Sequence, residues 1–228
     1  MRRLRPVPEL RRGRDRPGQG RDADPRAPRV RTLPGFAVGV VAPALLVAGC
    51  ATTGPQETAP PPSSAELQQL REDFAIPDCP VTAPDAEPVD RGLPRTQLPC
   101  LGSDVTVNLA GLERRPTVVN FWAQWCGPCR EEAPFLRDVS QAAEEVAFVG
   151  VNFDDPEPAW ALEFAGLAEW RYPHVADPEG TLRSQLGVPG LPMTLFVDET
   201  GAIVEHHFGV IESEEELEAA IAEHFGIS

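Results

Sequence analysis

The hydrophobic pattern divides the chain into an irregular N-terminal part and a regular C-terminal part. Alternating or continuous apolar runs predict strands over residues 105–109, 117–122, 146–153, 193–197 and 202–208. Apolar residues at helical spacing predict helices over residues 65–74, 133–146, 155–167 and 213–225. This order of elements predicts an α/β fold in which a central mixed β-sheet is flanked by helices on both faces.

The helix predicted over residues 155–167 rests on one apolar stripe. Trp160, Phe164 and Leu167 stand at positions i, i+4 and i+7, which lie on one side of a helix. Asp155 is a plausible N-cap residue for this helix. We therefore expect these three apolar side chains to face the core together.

Proline and glycine set the expected domain limits. The 228 residues include 26 Pro and 19 Gly, too many for one uniformly folded domain, and 17 of the Pro precede residue 104. We predict a signal or lipoprotein leader over residues 1–49, a flexible tether over 50–75, a Pro-rich extension over 76–103 and a globular domain over 104–228. The extension contains Cys79 and Cys100.

The charge distribution excludes one class of partner. All 20 basic residues are Arg and 11 of them precede Thr32, while the whole chain carries a formal charge of −15. From Cys50 onward there are 9 Arg against 31 Asp and Glu. Such a surface repels phosphate backbones, so we expect no nucleic-acid partner.

The N-terminal segment resembles an export signal. Arg29 and Arg31 precede an apolar run over residues 36–48, which is shorter than the roughly 20 residues of a membrane-spanning helix. The run ends in Val-Ala-Gly-Cys, which resembles a bacterial lipobox. That resemblance implies a diacylglyceryl group on Cys50 and a lipid-anchored protein on the extracytoplasmic face of the cell membrane.

Cys79 and Cys100 have two interpretations. An exported chain enters an oxidising compartment, where two such cysteines usually form a structural disulfide. Alternatively, one of them acts as a third redox thiol. Neither has a CxxC spacing or adjacent basic groups, so pairing is the favoured interpretation.

The chemistry lies in Cys126-Gly127-Pro128-Cys129, between the second strand and its helix. Two intervening residues at a helix start allow the two sulfurs to form a disulfide. The first sulfur then lies near unpaired N–H groups of the helix, which stabilise a thiolate. A thiolate attacks a partner disulfide, and the second cysteine displaces the partner from the mixed disulfide.

A lone CxxC can also supply half of a zinc site. The sequence has no second CxxC, and His206 and His207 are adjacent on a predicted strand, so they point to opposite faces. A copper-chaperone role is disfavoured because no His or Met is placed beside the pair. We predict neither a metal nor a cofactor.

Residues 120–129, Asn-Phe-Trp-Ala-Gln-Trp-Cys-Gly-Pro-Cys, resemble the active-site segment of thioredoxins, and residues 190–192, Gly-Leu-Pro, resemble the stretch that carries the cis-proline of that family. More narrowly, residues 93–228 resemble extracytoplasmic TlpA/ResA-type thiol–disulfide oxidoreductases (AhpC/TSA-redoxin-like) in their lipoprotein form. The resemblance implies a thioredoxin-like domain over 104–228. It also implies that Cys126 attacks and Cys129 resolves.

The same resemblance assigns the substrate-binding residues. Pro192 would be cis and lie against the disulfide, and the backbone of Leu191 would pair with a substrate strand; the alternative is a trans turn. Trp125 would form an apolar docking rim, or else pack in the core. Gly127 and Pro128 would contact the substrate beside the reactive sulfur.

Glu132 is the remaining candidate. Cytoplasmic thioredoxins carry a buried Asp where this chain has Asn120, whereas the TlpA/ResA-type pattern has a Glu three residues after the second cysteine, here Glu132. A partly buried Glu has a raised pKa and could exchange a proton with the Cys129 sulfur. The alternative is an ordinary solvated residue, as expected for Glu131.

The resemblance implies an enzyme that reduces protein disulfides, with cytochrome c maturation as one setting. Its expected partners are a protein disulfide substrate, apocytochrome c being one candidate, and a membrane thiol–disulfide electron donor. Two alternatives stay open: an oxidase or isomerase using the same chemistry, and a non-catalytic thioredoxin-like binding lipoprotein.

Overall fold

The computed structural model describes residues 60–227. The leader and residues 50–59 of the predicted tether, among them the lipobox residue Cys50, lie outside the described residues. In chain order the elements are α1 Ser64–Asp73, β1 Gln97–Pro99, β2 Thr106–Asn108, a 3-10 turn Leu109–Gly111, β3 Thr117–Trp122, α2 Gly127–Ala142, β4 Ala147–Phe153, α3 Pro158–Leu167, β5 His174–Asp177, α4 Leu182–Leu186, β6 Met193–Val197, β7 Ile203–Phe208 and α5 Glu214–Phe225.

A five-stranded sheet in the order β5-β4-β3-β6-β7 forms the centre of the fold. Strand β3 pairs in parallel with β4 and antiparallel with β6, and all six of its residues are buried. Burial on both faces explains why four of its six residues are apolar. The predicted mixed α/β sheet is confirmed.

The two faces of the sheet bury separate cores. Val118 and Trp122 of β3 point to the face that packs against α2, α3 and α5, together with α1. Val119 and Phe121 point to the opposite face, where Leu182 of α4 packs. Helices therefore cover both faces, as the α/β prediction requires.

Helix α2 begins earlier than the apolar periodicity indicates. It runs from Gly127 to Ala142 instead of 133–146, with Cys126 as its N-cap residue. Pro128 is tolerated because it lies in the first helical turn, where backbone N–H groups have no intrahelical partner. Pro134 lies inside the helix. The whole CxxC segment therefore belongs to the helix start.

The predicted apolar stripe of α3 is wrong. Trp160 is 59% exposed and Leu167 is 74% exposed, whereas Ala161, Leu162 and Ala165 are fully buried. The helix is apolar on nearly every side, so its periodicity does not reveal which face packs against the core. It also begins at Pro158, and Glu157 precedes it without a side-chain capping bond.

Residues 97–101 of the Pro-rich extension lie along the edge strand β5. The structure joins Cys79 and Cys100 in a disulfide, with a Cα–Cα distance of 5.8 Å. Cys100 forms an antiparallel bridge with Val175 of β5, and the Leu101 N–H donates to the His174 carbonyl at 2.8 Å. This segment therefore covers an edge whose backbone groups would otherwise be open to pairing with another chain.

Removing the Cys79–Cys100 disulfide is expected to destabilise the fold. Its two cysteines are 21 residues apart, and closing a loop of that length stabilises by about 3 kcal/mol on the chain-entropy model. We expect the Cys79→Ala/Cys100→Ala double variant to lose about that amount in urea unfolding. Counting free thiols in the denatured, unreduced wild type is the control. A double variant within about 0.5 kcal/mol of wild type would contradict this role.

Candidate active site

Cys126 and Cys129 form a disulfide at the start of α2, with an S–S distance of 2.00 Å. The Cys126 sulfur accepts the Cys129 backbone N–H at 3.1 Å. Cys126 is 3% exposed and Cys129 is fully buried. In the reduced protein the same N–H and the helix dipole would stabilise a Cys126 thiolate, while Cys129 is shielded from bulky reactants.

The loop before the cysteines is held by the loop between β4 and α3. The Gln124 N–H donates to an Asp155 carboxylate oxygen at 2.8 Å. The Trp125 indole N–H donates to the Asp154 carbonyl at 3.0 Å. Trp125 is 54% exposed, so it lies on the rim of the site and not in the core.

Gly127 and Pro128 lie between the two cysteines and are both exposed. A Cβ added at Gly127 would have no heavy atom within 4 Å. These two residues therefore leave open space above the disulfide, where a client backbone could approach.

The Leu191–Pro192 peptide bond is cis and directly precedes β6. Because Phe121 of β3 pairs with Met193 of β6, this bond lies beside the strand end that leads into the active-site loop. Pro192 is buried, and the half-buried Leu191 packs against both cores. Among the residues described, the Leu191 backbone makes no hydrogen bond and can pair with an added strand.

Glu132 is fully buried, one helical turn after Cys129 and on the same face of α2. One of its carboxylate oxygens accepts the Ile211 N–H at 3.1 Å, and the other has no partner among the described residues. Burial raises the pKa of Glu132 to about 8; the charge of Glu216 adds to the increase, and the Ile211 bond opposes it. Glu131 is exposed.

Of the buried polar groups near this site, sequence reasoning named Asn120 but missed Tyr172, Thr194 and the Ile211 N–H. Tyr172 is buried, and burial together with the charge of Glu132 raises the pKa of its hydroxyl well above its usual range. Asn120 lies directly opposite Thr194 in the sheet, and both side chains are fully buried on the face toward α2. The sequence carries one signal for the second of these missed groups, because Thr194 is the only polar residue in the β6 run. The Ile211 N–H had no sequence signal because a backbone donor is independent of residue type.

A dithiol that caps a helix beside a cis-proline, on a thioredoxin-like sheet, defines the chemistry of thiol–disulfide exchange. By class, the protein is a thiol–disulfide oxidoreductase. It belongs to the Redoxin family, whose model matches residues 82–221.

Curated relatives agree with this class. The chain is 36% identical over 127 residues to the thiol:disulfide interchange protein DsbE of Pseudomonas fluorescens biotype C, covering 54% of this chain and 68% of that protein. It is 40% identical over 121 residues to a DsbE homolog of Paracoccus denitrificans, covering 48% and 64%. The matches thus span about two thirds of each relative.

A solved structure supports the fold assignment. It is a secreted disulfide oxidoreductase of Mycobacterium tuberculosis homologous to E. coli DsbE, with 25% sequence identity and a TM-score of 0.51. The similarity covers 57% of this chain and 96% of that one. The thioredoxin-like architecture is therefore confirmed independently of the CxxC motif.

Proposed function

We propose that the protein is a lipid-anchored, extracytoplasmic reductase of protein disulfides. The reduced Cys126 thiolate attacks one sulfur of a client disulfide, and the other client sulfur leaves as a thiolate that takes up a proton. The Cys129 sulfur then attacks the Cys126 sulfur, and the remaining client sulfur leaves as the second thiol. Two electrons pass to the client, and the enzyme is left with the Cys126–Cys129 disulfide.

Glu132 supplies the observation that carries the reducing direction. A strongly oxidising member of this class owes its potential to a stabilised reduced form. Here the buried ionisable group one turn from Cys129 is a carboxyl, which is neutral below its pKa of about 8 and supplies no positive charge that would stabilise a thiolate in the reduced form. Protonated Glu132 can also give a proton to the Cys129 sulfur during resolution, and ionised Glu132 can accept one from it.

The proposed location rests on the sequence leader and on Cys50, which lie outside the described residues. No helix within residues 60–227 is long and apolar enough to cross a bilayer. The Cys79–Cys100 disulfide supports an oxidising compartment, and the solved neighbour from M. tuberculosis is described as secreted.

The proposed partners follow from the resemblance to TlpA/ResA-type proteins. The client is a protein disulfide, for which apocytochrome c is the leading candidate. The oxidised enzyme must be reduced again by a dithiol, and an anchored protein would receive those electrons from a membrane thiol–disulfide protein.

A redox titration against glutathione or dithiothreitol buffers tests the direction. We expect a potential near that of thioredoxin, about −270 mV, and a value near the −120 mV of a strong oxidant would contradict the reductase proposal.

The anchor is tested by expressing the wild type and Cys50→Ser in one bacterial host. The substitution should move the protein from the membrane to the soluble fraction. Retention of that variant in the membrane would exclude lipidation of Cys50 as the anchor.

A further inference from the structure

A groove runs between α2 and α3 next to the dithiol. It has a volume of about 510 Å³. We name it the α2–α3 groove and define it by Gln124, Arg130, Pro134, Trp160, Phe164 and Leu167. Three of these residues belong to the active-site loop and α2, and three belong to α3.

The α3 wall of the groove is apolar except for one exposed charged residue, Glu163. Trp160 and Leu167 are more than half exposed, and Trp125 is similarly exposed on the nearby rim. Among residues 60–227, only three other large apolar side chains are exposed. Exposed apolar patches of this kind mark binding surfaces, because contact of apolar area with water is unfavourable and a partner removes it.

Arg130 supplies a positive charge at the end of the groove nearest the dithiol. It directly follows Cys129, its guanidinium stacks over the Phe164 ring at 4.8 Å, and it donates to the Gln124 carbonyl. In the part of the chain that the structure describes, no carboxylate lies within 4.0 Å of this guanidinium. Four other described arginines, Arg91, Arg114, Arg115 and Arg171, also lack such a partner, but of these five only Arg130 lines the groove.

The groove and the redox site share the active-site loop. Gln124 lines the groove and also begins the loop that leads to Cys126. Its N–H donates to Asp155, and the Asp154 carbonyl accepts the Trp125 indole N–H, so the loop between β4 and α3 is bonded to the active-site loop. An extended chain advances about 3.3 Å per residue, so a segment attached at the Cys126 sulfur could reach the groove within a few residues.

We propose that the α2–α3 groove binds the client segment flanking the cysteine under attack. A large apolar side chain of the client packs against Trp160 and Leu167, and a client carboxylate pairs with Arg130. This inference rests on the proposed function and specifies its substrate class: clients with an apolar and an acidic residue near the disulfide. Continuity with the dithiol and the charge of Arg130 support this occupant.

The test measures the attack of Cys126 on synthetic peptides in a Cys129→Ser background, so that only the first step occurs. Each nine-residue peptide carries a central cysteine activated as a thionitrobenzoate disulfide. The reference peptide has Phe three residues and Glu four residues from the cysteine on both sides. One comparison peptide replaces both Phe by Ala, and the other replaces both Glu by Lys. Released thionitrobenzoate is followed at about 0.15 M salt, where distant charges are screened.

We expect the reference peptide to react roughly tenfold faster than the Ala peptide and several-fold faster than the Lys peptide. Trp160→Ala should remove most of the preference for Phe, and Arg130→Gln should remove the preference for Glu over Lys. Each preference is the ratio of the rates at which two peptides react with the same variant. A substitution that changes the reactivity of the Cys126 sulfur in general therefore leaves the ratio unchanged. Val81→Ala, an exposed apolar residue outside the groove, is the matched control and should keep both ratios.

The outcomes separate the groove from the proposed function. If Ellman's reagent reacts rapidly with Cys126 of the Cys129→Ser protein but the three peptides react at equal rates, the groove is not a client site and the redox function stands. Preferences that persist in Trp160→Ala and Arg130→Gln also overturn the groove. If Cys126 reacts with Ellman's reagent no faster than free cysteine, the proposed function and the groove fail together.

Discussion

Replacing Cys126 with serine is expected to abolish thiol–disulfide exchange, with a loss of at least about a thousandfold in the reduction of a protein disulfide. Cys129 cannot substitute, because its side chain is fully buried and the sulfur at the helix N-cap is that of Cys126. Turnover is measured as the release of client thiols with dithiothreitol as the electron source. The uncatalysed rate is subtracted.

Cys129→Ser is the matched variant because it removes the other half of the same disulfide. It should still attack a client once and then stop as a mixed disulfide through Cys126, which mass spectrometry detects. Comparable urea unfolding of the two variants would show that both are folded. Substantial turnover by Cys126→Ser would contradict the assignment of Cys126 as the attacking residue.

Glu132→Gln is expected to change how the stability of the protein depends on pH. The folded protein holds the Glu132 proton up to a pKa of about 8, whereas the unfolded chain releases it near 4.5. Between those values the folded state binds more protons, so the contribution of Glu132 to stability is lost as pH rises through this window. A pKa difference of one unit is worth 1.36 kcal/mol, so the wild type should lose about 3 kcal/mol from this group between about pH 5.5 and 8.5.

In Glu132→Gln this loss disappears, because glutamine does not titrate. Urea unfolding at several pH values is the measurement, and the other titrating groups cancel in the comparison between wild type and variant. The exposed neighbour supplies the control: Glu131→Gln should follow the wild-type pH dependence. Parallel stability curves for wild type and Glu132→Gln would show that Glu132 titrates normally and is not a buried acid.

The same variant separates a proton-transfer role from a structural one. If Glu132 exchanges a proton with Cys129, Glu132→Gln should slow reduction and change its pH profile between about pH 6 and 9. A variant with altered stability but an unchanged rate profile would leave Glu132 as a purely structural group.

The sequence predicts the parts of this site that are contiguous in the chain. The β3 run and the CxxC segment carry their own signals, because a strand buried on both faces is mostly apolar and two cysteines separated by two residues can form a disulfide at a helix start. The Glu132 position also follows from helical spacing. Its burial does not, because the groups that enclose it, including Ile211, come from a distant part of the chain.

The errors have physical causes. Strand β5 and helix α4 were missed because they are short and because β5 begins with His174 and ends with Asp177, polar types that are depleted in strands or neutral there. Both side chains are nonetheless buried in the fold. The orientation of α3 was wrong because Trp160 and Leu167 are apolar yet lie outward, and a pattern of hydrophobicity does not separate a core face from a binding face.

The alkylation rate of Cys126 in the fully reduced protein tests the central claim most directly. Iodoacetamide reacts with the thiolate, so its rate as a function of pH reports the pKa of this sulfur. A sulfur that accepts a helix N-terminal N–H should ionise below the ordinary cysteine value of about 8.5 and be labelled faster than free cysteine at pH 7. Labelling no faster than free cysteine, with an ordinary pKa, would contradict the account of Cys126 as an activated nucleophile.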